Sequence, residues 1–234
     1  MQHPEWILIL DFGSQYTQLI ARRLREFNVY CEIYPYNHNL EDFSSHKPNG
    51  VVLSGGPRSV YDTDAPHLNK TIFDWNIPVL GICYGLQILS HTEIPGSVAK
   101  AERREFGRAE LIIDDENNAL FKNIPHHSQV WMSHSDSIVA LPEGFQITAT
   151  TESIPIAAFK KTTTDTHPLF GLQFHPEVYH STQGKLIIKN FLAADIKNFF
   201  LVLNKKHQSW EEQIKNSILE ILDLLTVMLM RKVQ

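Results

Sequence analysis

Cysteine and clustered charge are both scarce in this chain of 234 residues. It has two cysteines, Cys31 and Cys83, which are too few for a disulfide framework. The formal net charge is -5, and the lysines and arginines are scattered, so the basic footprint of a nucleic-acid-binding protein is missing. We therefore predict a reduced, cytoplasmic protein that does not bind nucleic acid.

Long apolar runs are missing as well. The opening residues, MQHPEWILILDFG, lack the charged segment and long apolar stretch of a signal peptide. No segment reaches the roughly 18 uninterrupted apolar residues of a membrane-spanning helix. The spacings C-x-x-C and H-E-x-x-H are also absent. The sequence thus predicts no membrane span, no metal site and no cofactor held by this chain.

Short apolar segments alternate with a helical pattern in the first half of the chain. Residues 15–27 place apolar side chains at three- and four-residue intervals, which predicts a helix. The apolar segments around it read as strands that are buried on both faces, at residues 6–10, 29–34, 49–57 and 77–82. This alternation predicts a parallel sheet with right-handed crossovers.

The pattern changes after residue 107. Apolar and polar residues now alternate between turn sequences such as DDENN and LPEG, which predicts antiparallel or mixed strands added to the same sheet. Residues 167–177 return to a buried strand, and residues 183–195 form an amphipathic helix. We predict one α/β domain over residues 1–196, an open, mostly parallel twisted sheet with helices on both faces.

Residues 197–234 are predicted to be a linker followed by an amphipathic helix. From about Trp210 onward, apolar residues such as Ile214, Ile218 and Ile221 recur at helical spacing. An apolar stripe of this kind needs a partner surface. Because acidic residues interrupt it, we predict docking or self-association rather than membrane anchoring.

Cys83 occupies an unusual place, the corner between a predicted strand and a predicted helix. It lies in GICYG, residues 81–85, which has the form of a nucleophile elbow with a thiol in place of the hydroxyl. Gly81 and Gly85 fit such a tight turn because a side chain would collide there. The helix N-terminus beside the sulfur favours a thiolate. The alternative is a buried cysteine that packs as a small apolar residue.

A thiol nucleophile needs a base, and the base needs an orienting group. His175 is predicted to end a buried strand, at the sheet edge where Cys83 ends another. Glu177 follows two residues later, and alternate residues of an extended segment share one face. Backbone N–H groups of Gly56, in LSGGP, and of Tyr84 are candidate donors to an oxyanion. The residues therefore predict an acyl-transfer site.

The motifs LSGGP, GICYGLQ and GLQFHPEV, in that order, resemble the class I glutamine amidotransferase family. The segments ILILDFGSQYTQLIARRLRE, REFGRAEL, VWMSHSDSIVALPEGF and PIAAF are similar to the glutaminase domains of GMP synthases within it. The resemblance covers about residues 6–195. It implies a flavodoxin-like fold and the hydrolysis of the glutamine side-chain amide.

The resemblance also implies roles for individual residues. Cys83 would be the nucleophile, His175 the proton relay and Glu177 the group that orients it, while Gly56 and Tyr84 would hold the oxyanion. Matching family positions assign substrate binding to Gly55, Gln87, Ser133, His134 and Asp136. The family usually has glycine where this chain has Ser135, and a side chain there would narrow the glutamine pocket.

Complete GMP synthases continue into an ATP pyrophosphatase domain with an S-G-G-x-D-S loop, which we do not find here. The resemblance therefore implies that this chain supplies ammonia to a partner domain or subunit that uses ATP and magnesium to aminate XMP to GMP. Two alternatives stay open. One is a related hydrolase of γ-glutamyl peptides, and the other is a catalytically idle regulatory or binding subunit.

Overall fold

The computed structural model describes residues 5–115, 118–162 and 168–194, without the side chains of residues 101–104 and 194. The predicted linker and amphipathic helix of residues 197–234 lie outside the described residues. Within the described ranges the chain forms one nine-stranded sheet, in the order β2-β1-β3-β4-β9-β8-β7-β5-β6. The predicted α/β fold class is confirmed.

The first half of the sheet is parallel. Strand β1 pairs with β2 and β3, β3 pairs with β4, and β4 pairs with β9. These strands are β1 (Ile7–Asp11), β2 (Cys31–Pro35), β3 (Gly50–Leu53), β4 (Val79–Ile82) and β9 (Leu169–Leu172). Strands β3, β4 and β9 are buried along their whole length, as expected when both faces of a parallel sheet are covered.

The second half of the sheet is antiparallel. It contains β5 (Val98–Ile113), β6 (His127–Ile138), β7 (Phe145–Thr150) and β8 (Ala158–Lys161). Strand β5 begins well before residue 107, where the sequence pattern placed the change, because β6 is long enough to pair with it from Val98 to Ile112. An irregularity between Lys100 and Glu105 interrupts that pairing. The two strands form a long hairpin ending in the sheet edge β6.

Helices cover the two faces of the parallel half. They are α1 (Thr17–Arg25), α2 (Thr71–Asp74), α3 (Tyr84–Glu93) and α4 (Gly184–Ala194), with short 3-10 turns at Leu40–Phe43 and Ala119–Phe121. Val51 packs in one apolar cluster with Leu86 of α3, whereas the neighbouring Gly50 approaches Phe191 of α4. Adjacent residues of β3 thus face opposite layers, as the two-residue period of a strand requires.

None of the helices in the described part of the chain is long and apolar enough to cross a membrane.

Candidate active site

Cys83 lies between β4 and α3 in a backbone conformation that side chains rarely adopt. Its φ is 53° and its ψ is -105°, outside the regions that residues with a Cβ prefer. The strained corner is held because the Cys83 N–H donates to the carbonyl of Leu172, at the end of β9, over 2.7 Å. Strain of this kind is typical of functional sites.

The two glycines that flank Cys83 have no room for a side chain. A Cβ on Gly81 would lie 2.6 Å from the carbonyl oxygen of Gly85, and a Cβ on Gly85 would lie 2.3 Å from the carbonyl oxygen of Leu53. The predicted need for glycine at both positions is confirmed. The obstacle in each case is backbone, which cannot rotate away as a side chain can.

His175 and Glu177 meet in a turn and not in a strand. Strand β9 ends at Leu172, and residues 176–177 are in a turn, so the predicted extended segment is wrong. The turn nevertheless brings Nδ1 of His175 within 2.7 Å of Oε1 of Glu177. Both side chains are almost fully buried. The Glu177 carboxylate therefore orients the imidazole through Nδ1, and Nε2 is left for a different partner.

The surroundings of His175 favour the imidazolium. Burial opposes its charge, but the Glu177 carboxylate and the Cys83 sulfur attract it and accept its hydrogen bonds, so the pKa of His175 is raised well above its usual value. A histidine next to both a carboxylate and a thiol is suited to hold the proton that the thiol releases.

The turn after β9 is fastened to the edge of β6. The N–H of His175 donates to the carbonyl of Trp131 over 3.0 Å, and the N–H of Thr182 donates to the carbonyl of Gln129 over 3.1 Å. The Cys83 thiol lies 3.5 Å from the carbonyl of Ser133. Alternate carbonyls of β6 are thus used by the turn and by the elbow, which brings β6 beside the thiol.

A cavity of about 490 Å³ opens above Cys83. Its lining includes seven of the ten residues predicted for the site, namely Gly56, Cys83, Gln87, Ser133, His134, Asp136 and His175. Gly55 lies behind this wall, where a Cβ would be 3.1 Å from Cε1 of His175 and 3.6 Å from Cβ of Cys83. The remaining two, Tyr84 and Glu177, are buried next to lining residues. The ten residues come from separate segments of the chain and meet at one place.

The backbone N–H groups of the two candidate oxyanion donors have no other use in the part of the fold that the structure describes. Within the described ranges, the N–H groups of Gly56 and Tyr84 make no hydrogen bond. A Cβ on Gly56 would lie 2.7 Å from the carbonyl oxygen of Phe12 and 3.3 Å from the Tyr84 ring. Glycine at this position therefore lets the loop after β3 pack closely against the Phe12 backbone and the Tyr84 ring. Two unused N–H groups beside a thiol could stabilise a tetrahedral oxyanion.

Three of the predicted substrate-binding residues hold the wall of the cavity together. Nε2 of Gln87 donates to the carbonyl of Asp136 over 2.7 Å, and Nδ1 of His134 lies 3.1 Å from the same oxygen. Asp136 also lines the cavity, and its carboxylate interacts electrostatically with the neighbouring His134 ring.

Sequence reasoning missed three contributors to the site. The ring of Tyr16 lies edge-on to His175 with 5.1 Å between ring centroids. Nε2 of Gln173 is 3.9 Å from the Cys83 sulfur. The Ser181 hydroxyl donates to the His175 carbonyl over 2.6 Å. Tyr16 and Gln173 stand inside motifs already quoted, FGSQYTQ and GLQFHPE, but their neighbours in space are distant in sequence.

No group of three or more potential metal ligands occurs among the described residues.

Comparison with known proteins identifies the family. Residues 8–194 match the model for glutamine amidotransferase class-I. The chain is 55% identical over 185 residues to a GMP synthase [glutamine-hydrolyzing] of Campylobacter jejuni, covering 79% of this chain and 35% of the relative. It is 51% identical over 207 residues to the protein of that name from Kluyveromyces lactis, covering 87% of this chain and 36% of the relative.

Solved structures give the same result. A Thermoplasma acidophilum protein described as one subunit of a GMP synthase superimposes with a TM-score of 0.70 and 28% identity, over 91% of this chain and 100% of that one. The present chain spans about a third of the length of the curated relatives that it matches. The match of residues 8–194 covers most of the chain. The chain belongs to the class I glutamine amidotransferase family.

Proposed function

We propose that this chain hydrolyses the side-chain amide of glutamine and supplies the ammonia for the amination of XMP to GMP. The observation that carries the proposal is the strained Cys83, beside a His175–Glu177 pair and below a cavity, in a domain of this family. The two curated relatives bear the name GMP synthase [glutamine-hydrolyzing], which supports the use of the ammonia.

In the proposed mechanism the Cys83 sulfur attacks the amide carbon of glutamine, and the thiol proton passes to His175. The N–H groups of Gly56 and Tyr84 hold the negative oxygen of the tetrahedral intermediate. The carbon–nitrogen bond then breaks, and His175 gives its proton to the leaving ammonia. Water hydrolyses the γ-glutamyl thioester to glutamate and regenerates the thiol.

The substrate's other end would lie along β6. The Asp136 carboxylate is available to the α-ammonium, and Gln87, Ser133 and His134 shape the same wall, with Gly55 allowing the close approach of His175 and Cys83. This chemistry uses a thiol, an imidazole and backbone donors. It needs no cofactor in this chain.

We assign the glutaminase domain to residues 1–196, with residues 197–234 as linker and docking or self-association helix. The proposed partner is an ATP pyrophosphatase domain or subunit that activates XMP with ATP and magnesium. Purine synthesis of this kind belongs to the cytoplasm, where we place the protein.

Ammonia release from glutamine tests the proposal. Cys83→Ala should abolish it, and 6-diazo-5-oxo-norleucine should label Cys83. Cys31→Ala is the matched control because Cys31 is a buried thiol within 3.6 Å of the Ala21 carbonyl and outside the cavity lining. Full release by Cys83→Ala, or preferred cleavage of γ-glutamyl peptides over glutamine, would contradict it. A second assay adds the synthetase partner, XMP and Mg-ATP and measures GMP.

A further inference from the structure

Two buried polar atoms face one another behind the cavity wall. Nε2 of His134, on β6, lies 3.4 Å from Oε2 of Glu105, on β5. The two residues are opposite one another in the strand register. Neither atom makes a hydrogen bond with any other residue in the described part of the chain. Buried polar atoms without partners are costly, so this arrangement needs an explanation.

The hydrogen-bonding partners of His134 decide where its proton is. Its Nδ1 is 3.1 Å from the Asp136 carbonyl oxygen, which can only accept. Nδ1 must therefore carry a hydrogen, and the neutral ring then presents a lone pair at Nε2. A carboxylate oxygen facing that lone pair would be repulsive. One proton held between Glu105 and His134 removes the conflict, and a small rotation of either side chain would complete the bond.

Burial favours the uncharged form of both side chains. Burial lowers the pKa of His134 to about 4, the Asp136 carbonyl and carboxylate oppose that shift, and the His175 charge adds to it. Burial also raises the pKa of Glu105. Both shifts are in the direction that suits a neutral ring facing a protonated carboxyl group.

The Glu105–His134 pair is one end of a buried polar chain. The Asp136 carbonyl accepts from both His134 and Gln87. Nε2 of Gln87 also lies 3.4 Å from Oε1 of Gln173, whose Nε2 is 3.9 Å from the Cys83 sulfur. The segment of β6 that lines the cavity is thus fixed from one side by α3 and from the other by β5.

We infer that Glu105 is a positioning residue for the glutamine pocket. In its protonated form Glu105 donates a hydrogen bond to Nε2 of His134, and this bond fixes the Asp136 carbonyl and carboxylate at the cavity wall. This deepens the proposed function and rests on it. Glu105 acts through His134 and does not touch the substrate. It governs substrate binding more than the chemical step, because Asp136 would meet the α-ammonium and Cys83 keeps its own anchors.

Kinetics with three variants tests the inference. Glu105→Ala removes the donor and should raise KM for glutamine about tenfold, with little change in kcat. Glu105→Gln retains an N–H donor of similar shape and should restore KM to near the wild-type value. Glu110→Ala is the matched control, since Glu110 contacts His127 across the same two strands, also at 3.4 Å, but on an exposed surface. Its KM should not change. A wild-type KM in Glu105→Ala, or a Glu105→Gln variant as impaired as Glu105→Ala, would overturn the inference.

Imidazole 15N spectra provide a readout that needs no activity. At pH 7, wild-type His134 should be the neutral tautomer with its proton on Nδ1, and Glu105→Gln should keep it. The His134 signals can be assigned from the spectrum of His134→Gln. A tautomer with its proton on Nε2 would overturn the inference even if glutaminase activity is normal. If ammonia release is absent while the Nδ1 tautomer is found, the proposed function is contradicted. The Glu105–His134 hydrogen bond is then supported, but only as a contact that stabilises β5 and β6.

Discussion

Gly85 is the position where we expect one added methyl group to affect both stability and activity. It is in the first turn of α3, two residues after Cys83, and a Cβ there would lie 2.3 Å from the carbonyl oxygen and 2.8 Å from the carbonyl carbon of Leu53. Ordinary contact begins at 3.4 Å. In Gly85→Ala the start of α3 must therefore withdraw from β3 by about 1 Å.

The displacement should lower both the melting temperature and kcat/KM. Overpacking of this kind costs about 1–3 kcal/mol, which lowers the melting temperature by about 2–4 °C for each kcal/mol. Moving α3 also moves Cys83 and the Tyr84 N–H away from Gly56. A misplacement of about 1 Å in a catalytic geometry reduces the rate about 100-fold. We therefore expect kcat/KM for glutamine hydrolysis to fall about 100-fold in Gly85→Ala.

Gly96→Ala separates the two effects. Gly96 has a φ of +95°, and a Cβ there would meet nothing within 4 Å. A side chain at this φ strains the backbone by about 1–2 kcal/mol, so thermal unfolding should show a loss similar to that of Gly85→Ala. Ammonia release should remain at the wild-type rate. If Gly85→Ala keeps wild-type kcat/KM, or if both variants lose activity equally, the close approach of α3 to β3 does not position the thiol.

Two further predictions concern the site itself. In Glu177→Gln the carboxylate that helps to raise the pKa of His175 is lost, so kcat should fall about 100-fold or more, and a circular-dichroism spectrum identical to wild type would show that folding is intact. Because the pKa of His175 is raised in the folded state, its protonation stabilises the wild-type fold fully below pH 6.5, and this stabilisation is lost as pH rises through the folded-state pKa. Urea unfolding should therefore show the largest loss of unfolding free energy in Glu177→Gln below pH 6.5, and the difference from wild type should narrow above it. A gap independent of pH would contradict this. Ser135 lines the cavity, so Ser135→Gly should lower KM for glutamine roughly fivefold, about 1 kcal/mol. Ser137→Gly is the control, because Ser137 is on the same face of β6 but outside the cavity lining, and it should leave KM unchanged. A KM that does not change in either variant would show that Ser135 does not narrow the pocket.

The sequence was informative wherever local backbone geometry dictated the residue. The elbow at Cys83 could be predicted because a sharp turn with packed backbone on both sides requires Gly81 and Gly85, and the structure gives the distances. The parallel strands could be predicted because burial on both faces produces continuous apolar segments. These features need only a few neighbouring residues.

Features that depend on register were beyond the sequence. His175 and Glu177 do pair, but they pair in a turn that is held by the bond from the His175 N–H to the Trp131 carbonyl. The sequence near residue 175 contains no signal for the bond to Trp131. The Glu105–His134 contact depends on the irregularity between Lys100 and Glu105, since a shift of one residue in β5 would turn Glu105 to the other face. The contact of His175 with Trp131 and that of Glu105 with His134 both join segments far apart in the chain.

The use of alternate β6 carbonyls by the turn after β9 has a consequence for solubility. Strand β6 is the last strand of the sheet, and an edge strand with free carbonyls invites pairing with another chain. Here the N–H groups of Thr182 and His175 and the thiol of Cys83 cover the carbonyls of Gln129, Trp131 and Ser133. The Ser181 hydroxyl also accepts from the Trp131 N–H. The turn after β9, which contains His175, therefore also blocks an edge strand that could otherwise pair with another chain. Substitutions that loosen this turn should lower soluble yield together with turnover.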